Sequence, residues 1–152
     1  PTPELAFALM LSLGRQIPQS GAAMRHGRWQ IGVGKAMKGA TLGLLGLGRL
    51  GAEVAEYAKV FGMRIIAWSQ NLTEERAAEC GAELVTKDEL FKQSDFISVH
   101  LVLSDRSRGL VGARELRLMK PDAYIVNTSR GPIIDEDALL EALQNKQIGL
   151  KQ

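Results

Sequence analysis

A strand-like apolar run at residues 41–46 meets a helical pattern at 49–61 through Gly46-Leu47-Gly48-Arg49-Leu50-Gly51. The chain holds 16 glycines in 152 residues, so a G-x-G-x-x-G match alone carries little weight. Its setting carries the weight, because glycines at a strand-to-helix junction answer one common set of demands. Gly46 permits the tight turn. Gly48 lets backbone approach a pyrophosphate with no β-carbon in the way, and Gly51 lets the helix pack close on the strand. The helix then turns free N–H groups and the positive end of its dipole toward an anion. A tight turn that binds nothing is the bland alternative.

The same alternation continues along the chain. Apolar runs at 41–46, 63–69, 83–85, 96–101 and 123–128 read as strands, and helical patterns at 49–61, 73–80, 86–91, 112–119 and 135–145 follow them. Thr73 and Thr86 stand at N-cap positions, Thr86 with Glu89 at capping-box spacing. Strands that are apolar throughout are buried on both faces. Strand–helix alternation with right-handed crossovers then gives a parallel sheet covered by helices on each side. The expected class is α/β, a Rossmann-like doubly wound parallel sheet, and 152 residues suffice for a single domain. Residues 39–152 form its dinucleotide-binding core, and 1–38 an N-terminal helix followed by a basic linker. That helix, capped by Thr2 with Pro3 and Glu4 in its first turn, is apolar on nearly every side from Leu5 to Leu13. Part of it is therefore expected at a subunit or domain interface.

Composition removes several classes. With 45% hydrophobic residues, 24% charged residues and a net charge of +2, the chain is neither disordered nor charged enough to argue for nucleic acid. The Leu5–Leu13 run is too short to cross a membrane and follows no cationic leader, so neither a membrane span nor a secretory signal is expected. Cys80 is the sole cysteine, which favours a cytoplasmic location. No His/Cys/Asp/Glu cluster has metal-ligand spacing, so no metal is expected. No acid lies between Glu4 and Glu53, whereas Arg15, Arg25, Arg28, Lys35, Lys38 and Arg49 do. These bases form either a solvated face or a positive field beside an anionic ligand.

The end of the second strand bears on the choice of nucleotide. A carboxylate there would accept both hydroxyls of the adenosine ribose and repel a 2′-phosphate. Ser69 occupies the place, 18 residues after Gly51, followed by Gln70 and Asn71. These side chains can donate to a ribose or to a phosphate. The cofactor is therefore read as NAD or NADP.

The glycine stretch, together with Asn127-Thr128-Ser129-Arg130-Gly131-Pro132-Ile133-Ile134-Asp135-Glu136, resembles the D-isomer-specific 2-hydroxyacid dehydrogenases. Ser98-Val99-His100-Leu101-Val102-Leu103-Ser104, Arg108-Gly109-Leu110-Val111 and Lys120-Pro121 fit the same family in the same order. The resemblance implies the coenzyme-binding domain of an oxidoreductase acting on a small 2-keto or D-2-hydroxy acid, in a homodimer paired near its N-terminal helix. It implies that Arg49 and Leu50 present backbone to the pyrophosphate, and that His100, Leu101, Thr128, Ser129 and Arg130 line the cofactor. Arg130 matches the family's substrate arginine, whose planar fork suits a carboxylate beside a carbonyl. The family's general-acid His and its Glu partner lie well downstream of that arginine and have no match among the 22 residues after Arg130. Nor does the stretch from Gln147 to Gln152 show the next strand with its Asp. The chain alone is thus expected to bind dinucleotide without turnover. A non-catalytic dinucleotide-sensing or interaction module is the alternative. S-adenosylmethionine binding is disfavoured by the third glycine and by the Asn127–Gly131 motif.

Overall fold

A computed structural model describes residues 1–148. Five strands form one sheet: β1 Thr41–Leu45, β2 Arg64–Trp68, β3 Glu83–Leu84, β4 Phe96–Val99 and β5 Tyr124–Asn127. All neighbours pair in parallel, in the order β3-β2-β1-β4-β5. The helices are α1 Thr2–Gly14, α2 Ile17–Arg25, α3 Arg49–Val60, α4 Glu74–Glu79, α5 Lys87–Gln93, α6 Ala113–Leu118 and α7 Glu136–Gln144.

Period-two alternation divides the buried residues between two cores. Leu42, Leu44, Ile65, Ala67 and Phe96 join α1, α3 and α4 on one face. Leu45, Ile66, Ile97 and Val99 join α5, α6 and α7 on the other. This is the doubly wound arrangement expected from strands apolar throughout. The chain runs outward from β1 to β3, then returns to β4 on the opposite side of β1. Strand order thus reverses between β1 and β4, which opens a crevice at their carboxyl ends.

Several boundaries and caps differ from the sequence reading. Each strand stops one or two residues earlier at one end or both, where the chain leaves the ladder for a loop. Thr2 lies inside α1 and caps nothing; Pro1 is the N-cap, without a side-chain bond. A second helix, α2, occupies part of the expected basic linker, with Pro18 in its first turn. Thr73 and Thr86 cap as expected, accepting from the N–H groups of Arg76 and Glu89 at 3.2 Å each. The Glu89 carboxylate, however, accepts from Gln93 instead of closing a box on Thr86. The face of α1 carrying Ala6, Phe7 and Met10 is buried, with Phe7 against Tyr57 and Phe61 of the α3 region, while Leu5 and Leu9 stay exposed. The stretch from Gln147 to Gln152, read as lacking the family's next strand, falls largely on residues 149–152, outside the described residues.

Candidate functional site

Gly46 follows β1 with φ of 98°, in the left-handed region that favours glycine. Its N–H donates to the Trp68 carbonyl at 2.9 Å, which fixes the turn beside the end of β2. A β-carbon on Gly46 would come within 2.6 Å of the His100 carbonyl oxygen. Gly51, in the first turn of α3, faces the Gly46 carbonyl with no room for a β-carbon. The architecture itself therefore demands these two glycines. Gly48 is different. It is the N-cap of α3 with φ of −77°, and no atom lies within 4 Å of where its β-carbon would stand. That space is open to a group approaching from outside. Behind it stand the first-turn amides of α3, which have no acceptor within the helix.

A cavity of about 440 Å³ adjoins this turn. It gathers Leu50, His100, Leu101, Thr128, Ser129 and Arg130 from three separate stretches of sequence. Thr2, Val102 and Leu103 complete its lining; the last two lie within the family match over Ser98–Ser104, and none of the three carries a site role of its own in the sequence. The segment after β5 is shaped by Asn127, whose amide donates to the Arg130 carbonyl at 2.9 Å and accepts from the Ser129 N–H at 3.0 Å. Ser129 Oγ donates to the Val99 carbonyl at 2.9 Å, tying this segment to the end of β4. Arg130 is exposed and donates to the Ser129 carbonyl at 3.0 Å. Among the described residues it pairs with no carboxylate, so its charge is open to an anion.

Two polar atoms on this wall lack partners. His100 Nε2 lies 2.8 Å from Ser98 Oγ, but His100 Nδ1 is buried with no hydrogen-bond partner among the described residues. Thr128 Oγ1 is in the same position. Burial holds the imidazole pKa down from 6.5 to about 4, so the ring is neutral near pH 7. Buried polar groups are ordinarily satisfied, and two unsatisfied ones on one cavity wall call for a polar ligand. A dinucleotide fits these features: bare amides and open space for phosphates, unmet polar atoms for sugar or carboxamide, and a free guanidinium beside them.

Ser69 and Gln70 follow β2 and do not line this cavity; Ser69 is half-buried and Gln70 exposed. They flank the glycine turn through the bond from Gly46 to Trp68, on the β2 side. The Arg49 side chain is also exposed and outside the cavity lining. Lys35 corrects the idea of a positive field near the ligand. It pairs with Asp95 at 3.0 Å and Asp122 at 2.8 Å, at the amino ends of β4 and β5, whereas the site lies at their carboxyl ends. Ser98 lies inside the family match over Ser98–Ser104 with no site role of its own in the sequence, yet it holds the one histidine that lines the cavity. The signal was present, because residues two apart in an extended segment share a face.

The sequence profile described as D-isomer specific 2-hydroxyacid dehydrogenase, NAD binding domain, matches residues 7–151. A glyoxylate reductase of Thermococcus litoralis is 43% identical over 152 residues, covering 94% of this chain and 46% of that protein. A D-3-phosphoglycerate dehydrogenase of Methanocaldococcus jannaschii is 43% identical over 148 residues, covering 95% of this chain and 28% of that protein. The apo-structure of D-lactate dehydrogenase from Escherichia coli superposes with a TM-score of 0.90 at 36% identity, over 97% of this chain and 48% of that one. The chain spans less than half the length of each.

Proposed function

The chain belongs to the D-isomer specific 2-hydroxyacid dehydrogenases by its NAD-binding domain, and on that premise we propose that it is the coenzyme half of an oxidoreductase moving hydride between NAD(P)H and a small 2-keto or D-2-hydroxy acid. The observation that carries this reading is the cavity at the β1–β4 switch point, which Leu50 of the glycine turn lines together with His100 and Thr128, each holding a buried polar atom without a partner among the described residues. When bound, the nicotinamide supplies or accepts the hydride.

The chain's own residues bind and orient. Gly46, Gly48 and Gly51 leave the main chain bare, and the amides of Arg49 and Leu50 receive the pyrophosphate. Ser69 and Gln70 receive the adenosine ribose; with no carboxylate there, NADP is accepted as well as NAD. Leu101, Thr128 and Ser129 hold the nicotinamide end. The Arg130 guanidinium forks onto the substrate carboxylate and neutralises charge that grows on the carbonyl oxygen.

The proposed assembly is a homodimer. Its support is apolar surface left uncovered by the single chain: Ile17, Met24, Trp29 and Val33 are exposed, and a cavity of about 290 Å³ lies between α2 and the Trp29 segment. Sedimentation of the chain at micromolar concentration tests this. The proposed location is the cytoplasm, where a single buried thiol stays reduced.

Calorimetric titration with NADH and NADPH tests the cofactor assignment. Binding of both is expected. A flat response to both overturns the oxidoreductase reading, and binding of NADH alone overturns the assignment of Ser69 and Gln70.

A further inference from the structure

Ser98 is fully buried in β4 between Leu44 and Val126, its register partners on the neighbouring strands. A hydroxyl in such a place needs an acceptor for its hydrogen. Its partner is His100 Nε2, at 2.8 Å. A neutral imidazole carries one hydrogen, so two arrangements are open. If Nε2 held it, the ring would donate to Ser98 Oγ, and the serine hydrogen would be left without an acceptor in the core. If Ser98 donates to Nε2, the serine is satisfied and the ring hydrogen sits on Nδ1. The hydrogen-bond network thus assigns the Nδ1–H form. That N–H has no acceptor among the described residues; His100 belongs to the cavity lining, as does Thr128, whose Oγ1 is equally unmatched.

We propose that Ser98 is a positioning residue for the dinucleotide site: its hydroxyl fixes the proton of His100 on Nδ1, so that the ring meets the bound cofactor as a hydrogen-bond donor. The inference rests on the cofactor reading given above. It goes beyond that reading by assigning a role to a side chain that no ligand can touch. The low pKa of the ring agrees, since a neutral imidazole has a tautomer to be chosen and an imidazolium has none. Nδ1 is buried in this structure, so an acceptor oxygen of the dinucleotide completes its N–H after a small shift of the ring or of the loop that follows β4.

Nitrogen-15 spectra of the 152-residue chain test the first half. The expected signature is a protonated, pyrrole-type Nδ1 and a bare, pyridine-type Nε2 for His100. In S98A the tautomer is expected to become mixed or to invert. NADH titrations test the second half. S98A should weaken binding about three- to tenfold, the range of one hydrogen bond. H100N keeps an N–H near the Nδ1 position and should bind within about threefold of the unaltered chain, whereas H100Q moves its amide to the Nε2 position and should lose about tenfold. A purely structural role for Ser98 would leave the tautomer unmoved and would not separate Asn from Gln. The proposal is overturned by a proton on Nε2 in the unaltered chain, by an unchanged tautomer in S98A, or by equal affinities of H100N and H100Q. No NADH binding by the unaltered chain would defeat the cofactor reading instead, and the tautomer measurement would then decide the assignment of Ser98 by itself.

Discussion

Gly46 and His100 meet main chain to main chain: a β-carbon on the glycine would stand 2.6 Å from the histidine carbonyl oxygen. Backbone cannot yield as a flexible side chain can, and the φ of 98° is strained for any residue with a β-carbon. Gly46→Ala should therefore lower the unfolding free energy by about 3 kcal/mol. Gly48→Ala is the matched control, since its β-carbon meets nothing within 4 Å. It should fold within about 1 kcal/mol of the unaltered chain, the difference between Gly and Ala at an N-cap, yet weaken NADH about tenfold or more. Urea unfolding and calorimetry on the two variants separate them. Equal binding by the Gly48 variant would remove the phosphate role of that position.

His100 gives stability a pH dependence whose sign follows from its burial. Its folded pKa is about 4 against 6.5 for the free side chain, so between these values the unfolded chain binds more protons. Nothing is lost above pH 6.5. As pH falls from 6.5 to about 4 the folded state is progressively disfavoured, by up to about 3 kcal/mol, and below that the loss is complete. Urea midpoints at pH 7.5, 5.5 and 4.5 should fall for the unaltered chain. For H100N they should stay level from pH 7.5 to 5.5, and at pH 4.5, where carboxylates already titrate, they should fall less than in the unaltered chain. A parallel fall in both would show that another group carries the slope.

What could be read from the sequence was the part that neighbouring residues decide. The β1–Gly46–α3 unit is contiguous, and its demands fall on six consecutive positions. Thr73 and Thr86 cap because a hydroxyl three residues before an amide is a local arrangement. Helix α2 was hidden because Ile17–Arg25 has Pro18 and Gly21, no acid in its first turn and little apolar periodicity. The Lys35–Asp95 pair was hidden because 60 residues separate its members. Only the sheet brings them together. The cavity lies between these cases. Its motifs were visible one by one, but Val102 and Leu103 join it through the path of a loop that no local pattern dictates.

Asp95 braces the end of the sheet opposite the site. Its carboxylate accepts from the Thr41 N–H at 2.9 Å and from Lys35 at 3.0 Å, with Lys120 at 3.4 Å. Burial pushes its pKa up, but the Thr41 N–H and Lys35 outweigh that and hold it below the ordinary value of 3.8. It therefore stabilises the fold above that value, and the contribution is lost as pH falls through the lower folded value. Asp95→Asn keeps an acceptor for Thr41 and should cost about 1 kcal/mol. Asp95→Ala leaves that N–H without a partner and should cost about 2–3 kcal/mol. Denaturant midpoints at pH 7 should rank native, Asn, Ala; equal midpoints for Asn and Ala would show that the charge and not the acceptor matters.

Arg130 should separate stability from chemistry. Its side chain is exposed, bonds only the adjacent Ser129 carbonyl and has no carboxylate partner among the described residues. Removing it costs the fold little, so Arg130→Gln should change unfolding free energy by less than about 0.5 kcal/mol. In the enzyme proposed above it removes the fork that grips a 2-keto acid. A charged bidentate contact is worth about 2–3 kcal/mol, so reduction of glyoxylate should fall by a factor of about 30 to 100 or more. Arg130→Lys keeps the charge but not the plane, and should recover only a minor part of that loss. NADH affinity should fall much less than activity in both variants, since the fork is spent on the acid while main-chain amides, Thr128 and Ser129 carry most of the grip on the nucleotide. Steady-state rates of the whole enzyme that carries this domain, measured beside NADH titrations, decide the matter: full activity in the lysine variant would reduce Arg130 to a point charge, and a collapse of NADH binding would move it from the substrate to the cofactor.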